Sequence, residues 1–121
     1  MKTIAVDFDG TIAHYNGWKG KGVFGSPIDG CRVFLLKLRQ EGWTIIVNTT
    51  RSETSDIHRY LTDYKIPFDH INFSPKTQEQ FLSPAKVLAD VYLDDRAVRF
   101  TGKYDNKLYD KITECEWWRK L

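Results

Sequence analysis

The sequence predicts an α/β domain in three layers, with a central parallel sheet and helices on both faces. Apolar, β-branched runs recur at residues 4–8, 43–48, 68–73 and 89–93, and stretches of helical period lie between them. The first and last of these runs each close on a pair of aspartates. Strands that alternate with helices call for right-handed crossovers and a parallel sheet. In such sheets ligands bind beyond the carboxyl ends of the strands, where the strand order reverses. The two acidic pairs therefore stand where a ligand is expected.

The elements follow in order. Residues 4–8, Ile-Ala-Val-Asp-Phe, form the first strand, and Gly10 lets the backbone turn away. With the strand running through Phe8, its period of two puts Asp7 and Asp9 on one side and Phe8 in the core. Residues 12–27 carry Gly17, Gly20, Gly22 and Gly25 among Tyr15, Trp18, Lys19, Lys21 and Phe24. That is the composition of a surface loop, at the position of a flap over the end of the first strand. Asp29 or Ser26 caps a helix over 30–40, with Phe34, Leu35 and Leu38 on one face and Gly42 as its stop. The strand over 43–48 ends in Thr49-Thr50-Arg51.

Ile57, Tyr60, Leu61 and Tyr64 recur at helical spacing over 54–64, which leaves His58 on the solvent face. Pro67 blocks further helix, and 68–73 supply a short third strand. Ser74-Pro75 and Ser83-Pro84 bracket a polar stretch with one helical turn at 78–82, before the strand at 89–93. Residues 98–101 add a short edge strand that Gly102 ends. The tail, 106–121, reads as an amphipathic helix with Leu108, Ile112, Cys115 and Trp118 near one face, packing onto the sheet. Trp117 and Trp118 cannot both face inward, so one is left for a partly exposed or subunit contact.

Composition narrows the classes. A chain of 121 residues makes one domain, 1–121, and 41% hydrophobic with 28% charged residues is ordinary for a globular protein. A net charge of +2 is too small to argue for nucleic acid alone, although collecting acids at one site leaves the remaining surface more basic. Cys31 and Cys115 are too few for a disulfide framework or a zinc site. No apolar leader precedes the first strand and no stretch is long enough to cross a bilayer, so a cytoplasmic protein without a membrane partner is expected. A phosphate-binding nucleoside triphosphatase is disfavoured, because no Gly-x-x-x-x-Gly-Lys-Ser/Thr loop occurs.

Two like charges as close as Asp7 and Asp9 each resist ionisation unless a cation or a shared proton offsets the repulsion. Adjacent parallel strands bring Asp94 and Asp95 to the same rim, so that four carboxylates meet around one hard cation. Singly, an Asp-Gly is a turn and a terminal Asp pair is a cap or solvated loop. The buried strands leading into both pairs favour a site. Asp7-Phe8-Asp9-Gly10-Thr11 resembles the first motif of the haloacid dehalogenase superfamily, Asp-x-Asp-Gly-Thr, and the resemblance runs through nearly the whole chain. Thr49 matches the second motif, and Thr49-Thr50-Arg51 has the Thr-x-Arg form of several small members. Lys86 followed by Val91-Tyr92-Leu93-Asp94-Asp95-Arg96 is similar to the combined third and fourth motifs, with Lys76 as the other candidate lysine.

The resemblance implies a Rossmann-like domain with the first strand between the second and the one carrying Asp94, and no cap domain, since 12–27 is too short for one. It implies a Mg2+-dependent phosphomonoester hydrolase. Asp7 is the nucleophile that forms an aspartyl-phosphate, and Asp9 is the general acid and base. Gly10, Thr49, Thr50, Arg51 and Lys86 form the phosphate site. The ion is held by the Asp7 carboxylate, the Asp9 carbonyl and the Asp94 carboxylate, with Asp95 binding directly or through water. The superfamily's dehalogenases lack the second aspartate, and mutases or phosphotransferases need a cap or partner to exclude water. Phosphomonoester hydrolysis is the reading that remains. The substrate is a sugar phosphate, a nucleotide or a nucleic-acid end, with Trp18, Lys19 and Lys21 offering a ring and two cations. A homo-oligomer through the C-terminal helix is a further expectation. The alternative is a non-catalytic phosphate-ligand-binding or scaffolding module of the same fold.

Overall fold

The computed structural model describes residues 2–80, 83 and 85–116. Along the chain run β1 (Thr3–Asp7), α1 (Cys31–Gln40), β2 (Thr44–Asn48), α2 (Thr54–Asp63), β3 (His70–Ile71), α3 (Pro75–Glu79), β4 (Val91–Leu93) and α4 (Asn106–Thr113). The four strands form one parallel sheet in the order β3-β2-β1-β4. Strand order therefore reverses beside β1, and the first and last strands lie side by side. Among the described residues no helix is long and apolar enough to cross a membrane.

The register of β4 on β1 is set by Asp90. Its N–H donates to the Thr3 carbonyl at 3.0 Å, and its carboxylate accepts from the Thr3 N–H at 2.8 Å and the Thr3 hydroxyl at 3.1 Å. These bonds hold the Asp90 carboxyl below its ordinary value. They place Leu93 opposite Val6. Asp94 consequently leaves β4 level with Asp7, the last residue of β1.

The two faces of the sheet differ. Ile4, Val6, Ile45 and Val47 pack with Leu35 of α1 and with Ile57, Tyr60 and Leu61 of α2. On the opposite face Ala5 and Ile46 carry Val87 and Ala89, which come from the crossover between β3 and β4. Phe8 is fully buried, meeting Phe24 and Tyr60 edge-on at 5.2 Å each.

Several elements depart from the sequence reading. Neither Ser26 nor Asp29 caps α1; its N-cap is Gly30 at φ 86°, a left-handed position where a side chain costs strain, and it supplies no side-chain cap hydrogen bond. Phe34 of α1 is exposed while Leu35 is buried. The strand predicted over 68–73 pairs only at His70–Ile71, and the helical turn expected at 78–82 is α3, earlier in the chain. Residues 98–101 form no strand. α4 spans 106–113 and contains no buried residue, so within the described chain it does not pack onto the sheet as its amphipathic pattern suggested. Trp117 and Trp118 lie outside the described residues.

Candidate active site

Three carboxylates meet where β1 and β4 end. Asp7, Asp94 and Asp95 each offer an oxygen, and these oxygens lie within 4.8 Å of one another. Asp95 comes in over the turn that follows β1, so close to Gly10 that a Cβ there would collide with its carboxylate. Gly10 also has φ +88°, so two independent constraints require glycine. Burial first, and then the charges of Asp94 and Asp95, push the Asp7 carboxyl up to about 7, with the Thr11 hydroxyl, donating at 3.3 Å, pulling the other way. Asp95 Oδ1 is buried without a hydrogen-bond partner among the described residues. An unbonded buried oxygen and mutually repelling carboxylates are the features that a cation would satisfy. An all-oxygen donor set suits a hard ion such as Mg2+.

Asp9 is not the fourth carboxylate. The strand ends at Asp7, so the period of two that would align Asp9 with Asp7 stops there. Phe8 turns into the core, and the Asp9 side chain goes to Arg51. Arg51 Nε donates to Asp9 Oδ2 at 2.6 Å and Nη2 to Oδ1 at 3.1 Å, a bidentate pair.

Arg51, read from sequence as a phosphate ligand, is buried and engaged on every side. Nη1 reaches Glu53 at 3.2 Å and the Gly20 carbonyl at 3.5 Å, and Nη2 also reaches the Val23 carbonyl at 3.2 Å. Trp18 and Phe24 lie against the guanidinium, with ring centroids 4.8 and 4.7 Å from Cζ. Burial alone would pull the guanidinium pKa down, but the bonds and charges of Asp9 and Glu53 outweigh it and hold it above its ordinary value. Glu53 is in turn held below the usual carboxylate range, chiefly by the Gly22 N–H, which donates to it at 2.8 Å.

The same contacts fasten the loop at 12–27. The Tyr60 hydroxyl donates to the Gly25 carbonyl at 2.7 Å, and the His14 N–H to the Ser26 carbonyl at 2.8 Å. At Gly25 a Cβ would run into the His14 carbonyl. The segment is a strapped loop beside the site rather than a loosely tethered one.

Thr49 ends just beyond β2 with its backbone fixed at both polar atoms by one side chain. Its N–H donates to Asn72 Oδ1 at 2.8 Å, and Asn72 Nδ2 donates to its carbonyl at 2.9 Å. Its hydroxyl accepts from the Arg51 N–H at 3.1 Å, and Thr50 is exposed beside it. Lys86 is not brought to the acids. It precedes β4, and its ammonium stands 5.3 Å from the centroid of the Tyr92 ring, whose hydroxyl donates to the Val87 carbonyl at 2.6 Å. Lys76 Nζ lies 3.9 Å from Asp90 Oδ2, the oxygen bonded to Thr3 at the start of β1, so it too is directed away from Asp7. The sequence reading passed over Glu53 and Asn72, and took Tyr60 only as a packing residue of the helix over 54–64. Of these only Glu53 left a signal, an acid two residues from a basic one at a strand end.

No protein-family model matches the sequence, and no curated protein matches it. Solved structures do. A conserved protein from Bacteroides thetaiotaomicron is 31% identical, with a TM-score of 0.65 over 93% of this chain and 89% of that one. The chain belongs to that protein's family. A Vibrio cholerae protein is 22% identical, with a TM-score of 0.53 over 94% of this chain and 98% of that one. A chain of the Pnkp1/Rnl/Hen1 complex is 21% identical, with a TM-score of 0.57 over 91% of this chain and 41% of that much longer one. These likenesses are consistent with a haloacid dehalogenase-like fold.

Proposed function

We propose that this protein is a Mg2+-dependent phosphomonoester hydrolase of the haloacid dehalogenase type. The observation that carries the reading is the meeting of Asp7, Asp94 and Asp95 at the carboxyl ends of adjacent parallel strands. A bound Mg2+ would neutralise charge between carboxylate and phosphate, which otherwise repel. Asp7, Asp94 and Asp95 would hold it.

The chain's own residues account for the remaining steps. An Asp7 oxygen attacks phosphorus in line; the P–O bond to the alcohol breaks as an aspartyl-phosphate forms. Asp9 gives its proton to the departing oxygen. Water then attacks phosphorus, Asp9 takes a proton from it, and phosphate leaves with Asp7 restored. Both Asp9 oxygens accept from Arg51 in the structure, so Asp9 reaches the ester oxygen only once that pairing is loosened. Thr49, with the backbone that follows it, is the candidate cradle for the transferring oxygens. In the structure described, Arg51 is occupied by Asp9 and the loop, and Lys86 stands apart.

The Arg51–Asp9 pair also favours the second reading, a module that binds a phosphorylated ligand without turning it over. One experiment separates them: release of phosphate from an aryl phosphate, with and without Mg2+, by the wild type and by Asp7→Asn. Metal-dependent release that vanishes in the variant supports the hydrolase. Release that survives in Asp7→Asn overturns it, and Mg2+-dependent phosphate binding without release supports the module.

A further inference from the structure

We infer that Trp18 is a stacking platform for a nucleobase, so that the phosphomonoester taken at this site is a nucleotide or the phosphorylated end of a nucleic acid. The inference rests on the site being the one proposed above. Trp18 is 62% exposed, although the loop that carries it is strapped to the body through Gly22, Gly25 and Ser26. The indole rests on the buried Arg51 guanidinium, which is itself backed by Phe24. A large ring held out in solvent by a fixed cation has its orientation set before any ligand arrives, which lowers the ordering cost of binding.

Position relative to the chemistry supplies the second argument. The guanidinium beneath the indole is the one that grips Asp9. With Cζ one bond from nitrogens that lie 2.6 and 3.1 Å from the Asp9 oxygens, and 4.8 Å from the indole centroid, ring and carboxylate stand roughly 9 Å apart at most. Asp9 serves the ester oxygen of the substrate. A pentose links that oxygen to a base, so a ligand with a flat ring one sugar away reaches the indole, whereas a bare sugar phosphate has no π-face to stack. Lys19 and Lys21, both exposed beside Trp18, add positive charge along the path of any further phosphates.

The test is titration calorimetry on Asp7→Asn protein with Mg2+, using ribose 5-phosphate, adenosine 5′-monophosphate and a short oligonucleotide with a terminal phosphate. Base stacking predicts that the nucleotide binds about ten- to a hundredfold more tightly than ribose 5-phosphate. Adding Trp18→Ala should bring that ratio close to one, and Trp18→Phe, which keeps a ring, should restore most of it. Equal affinity for the two monophosphates when Trp18 is present, or a ratio that survives Trp18→Ala, overturns the inference. Because binding is read without turnover, the two readings fail separately. A wild-type protein that shows this ratio yet hydrolyses nothing loses the phosphatase and keeps the platform; one that hydrolyses phosphomonoesters without the ratio does the reverse. Tighter binding of the oligonucleotide than of the mononucleotide assigns the base to a polymer end, and equal binding assigns it to a free nucleotide.

Discussion

The Arg51 guanidinium holds both oxygens of the Asp9 carboxylate through Nε and Nη2, and donates to the Gly20 carbonyl through Nη1 and to the Val23 carbonyl through Nη2. One side chain thus ties the acid beside the site to the neighbouring loop at 12–27. Removing a buried charge from such a network strands its partners, at a cost of about 3–5 kcal/mol. Arg51→Met should therefore lower stability by that amount in a chemical-denaturation curve and should speed limited proteolysis at Lys19 and Lys21. Arg51→Lys keeps the charge but not the fork, and should fall between the two. Unchanged proteolysis in Arg51→Met would show that the loop is held without Arg51, by its bonds to Glu53 and Tyr60 and by its own backbone pairing.

Gly10 lies where the chain leaves β1 with φ +88°, against the Asp95 carboxylate. Gly10→Ala has two faults, strain of roughly 1–2 kcal/mol and a methyl that must displace Asp95. The variant should lose Mg2+-induced thermal stabilisation to a greater degree than it loses stability in the absence of metal. Gly42→Ala is the control. It is also at positive φ, 93°, but a Cβ there meets nothing, so it should show the strain alone and keep the full response to Mg2+.

The pH dependence follows from Asp7, whose carboxyl is pushed up to about 7 in the folded, metal-free protein from an ordinary value of 3.8. Between those two values the folded chain holds a proton that the unfolded chain has released. The contribution is complete below the ordinary value and is lost as pH rises through about 7, so the metal-free Tm should fall from about pH 5 to about pH 7.5. Mg2+ competes with that same proton. Its apparent affinity should rise nearly tenfold per pH unit in the lower part of this range and level off above it. Thermal scans with and without Mg2+ check both trends, and Asp7→Asn should flatten them. A metal-free Tm that rises across the range would contradict the assignment.

Much of this was legible in the residues. The alternating runs predicted the parallel sheet, and the acids at the ends of 4–8 and 89–93 predicted that Asp7, Asp94 and Asp95 would meet, because strand pairing follows from local pattern and their positions follow from pairing. The side chains just beyond the strands were not legible. Asp9 lies two residues past Asp7, but once the chain has left the strand its direction depends on the turn at Gly10 and on Arg51, far along the sequence. Lys86 occupies the same place in the sequence whether its ammonium extends to the rim or folds over Tyr92. The helix pattern over 106–113 is real, yet amphipathic period does not say what a helix packs against, and here no described residue of α4 is buried.

Asn72 gives the clearest case of a residue whose role is conformational and polar at once. It has φ 53°, and its side-chain amide bonds both the N–H and the carbonyl of Thr49. Asn72→Gly accepts the backbone conformation and loses both bonds, at a cost of about 1–3 kcal/mol. Asn72→Ala loses the bonds and adds left-handed strain, so it should be less stable than the glycine variant by roughly 1 kcal/mol. Both release Thr49, the residue proposed to hold the transferring oxygens, and should lower kcat/KM for an aryl phosphate by about tenfold. Equal loss of activity with unequal loss of stability would separate the two roles. Activity that instead tracks stability across the pair would mean that Asn72 supports only the fold.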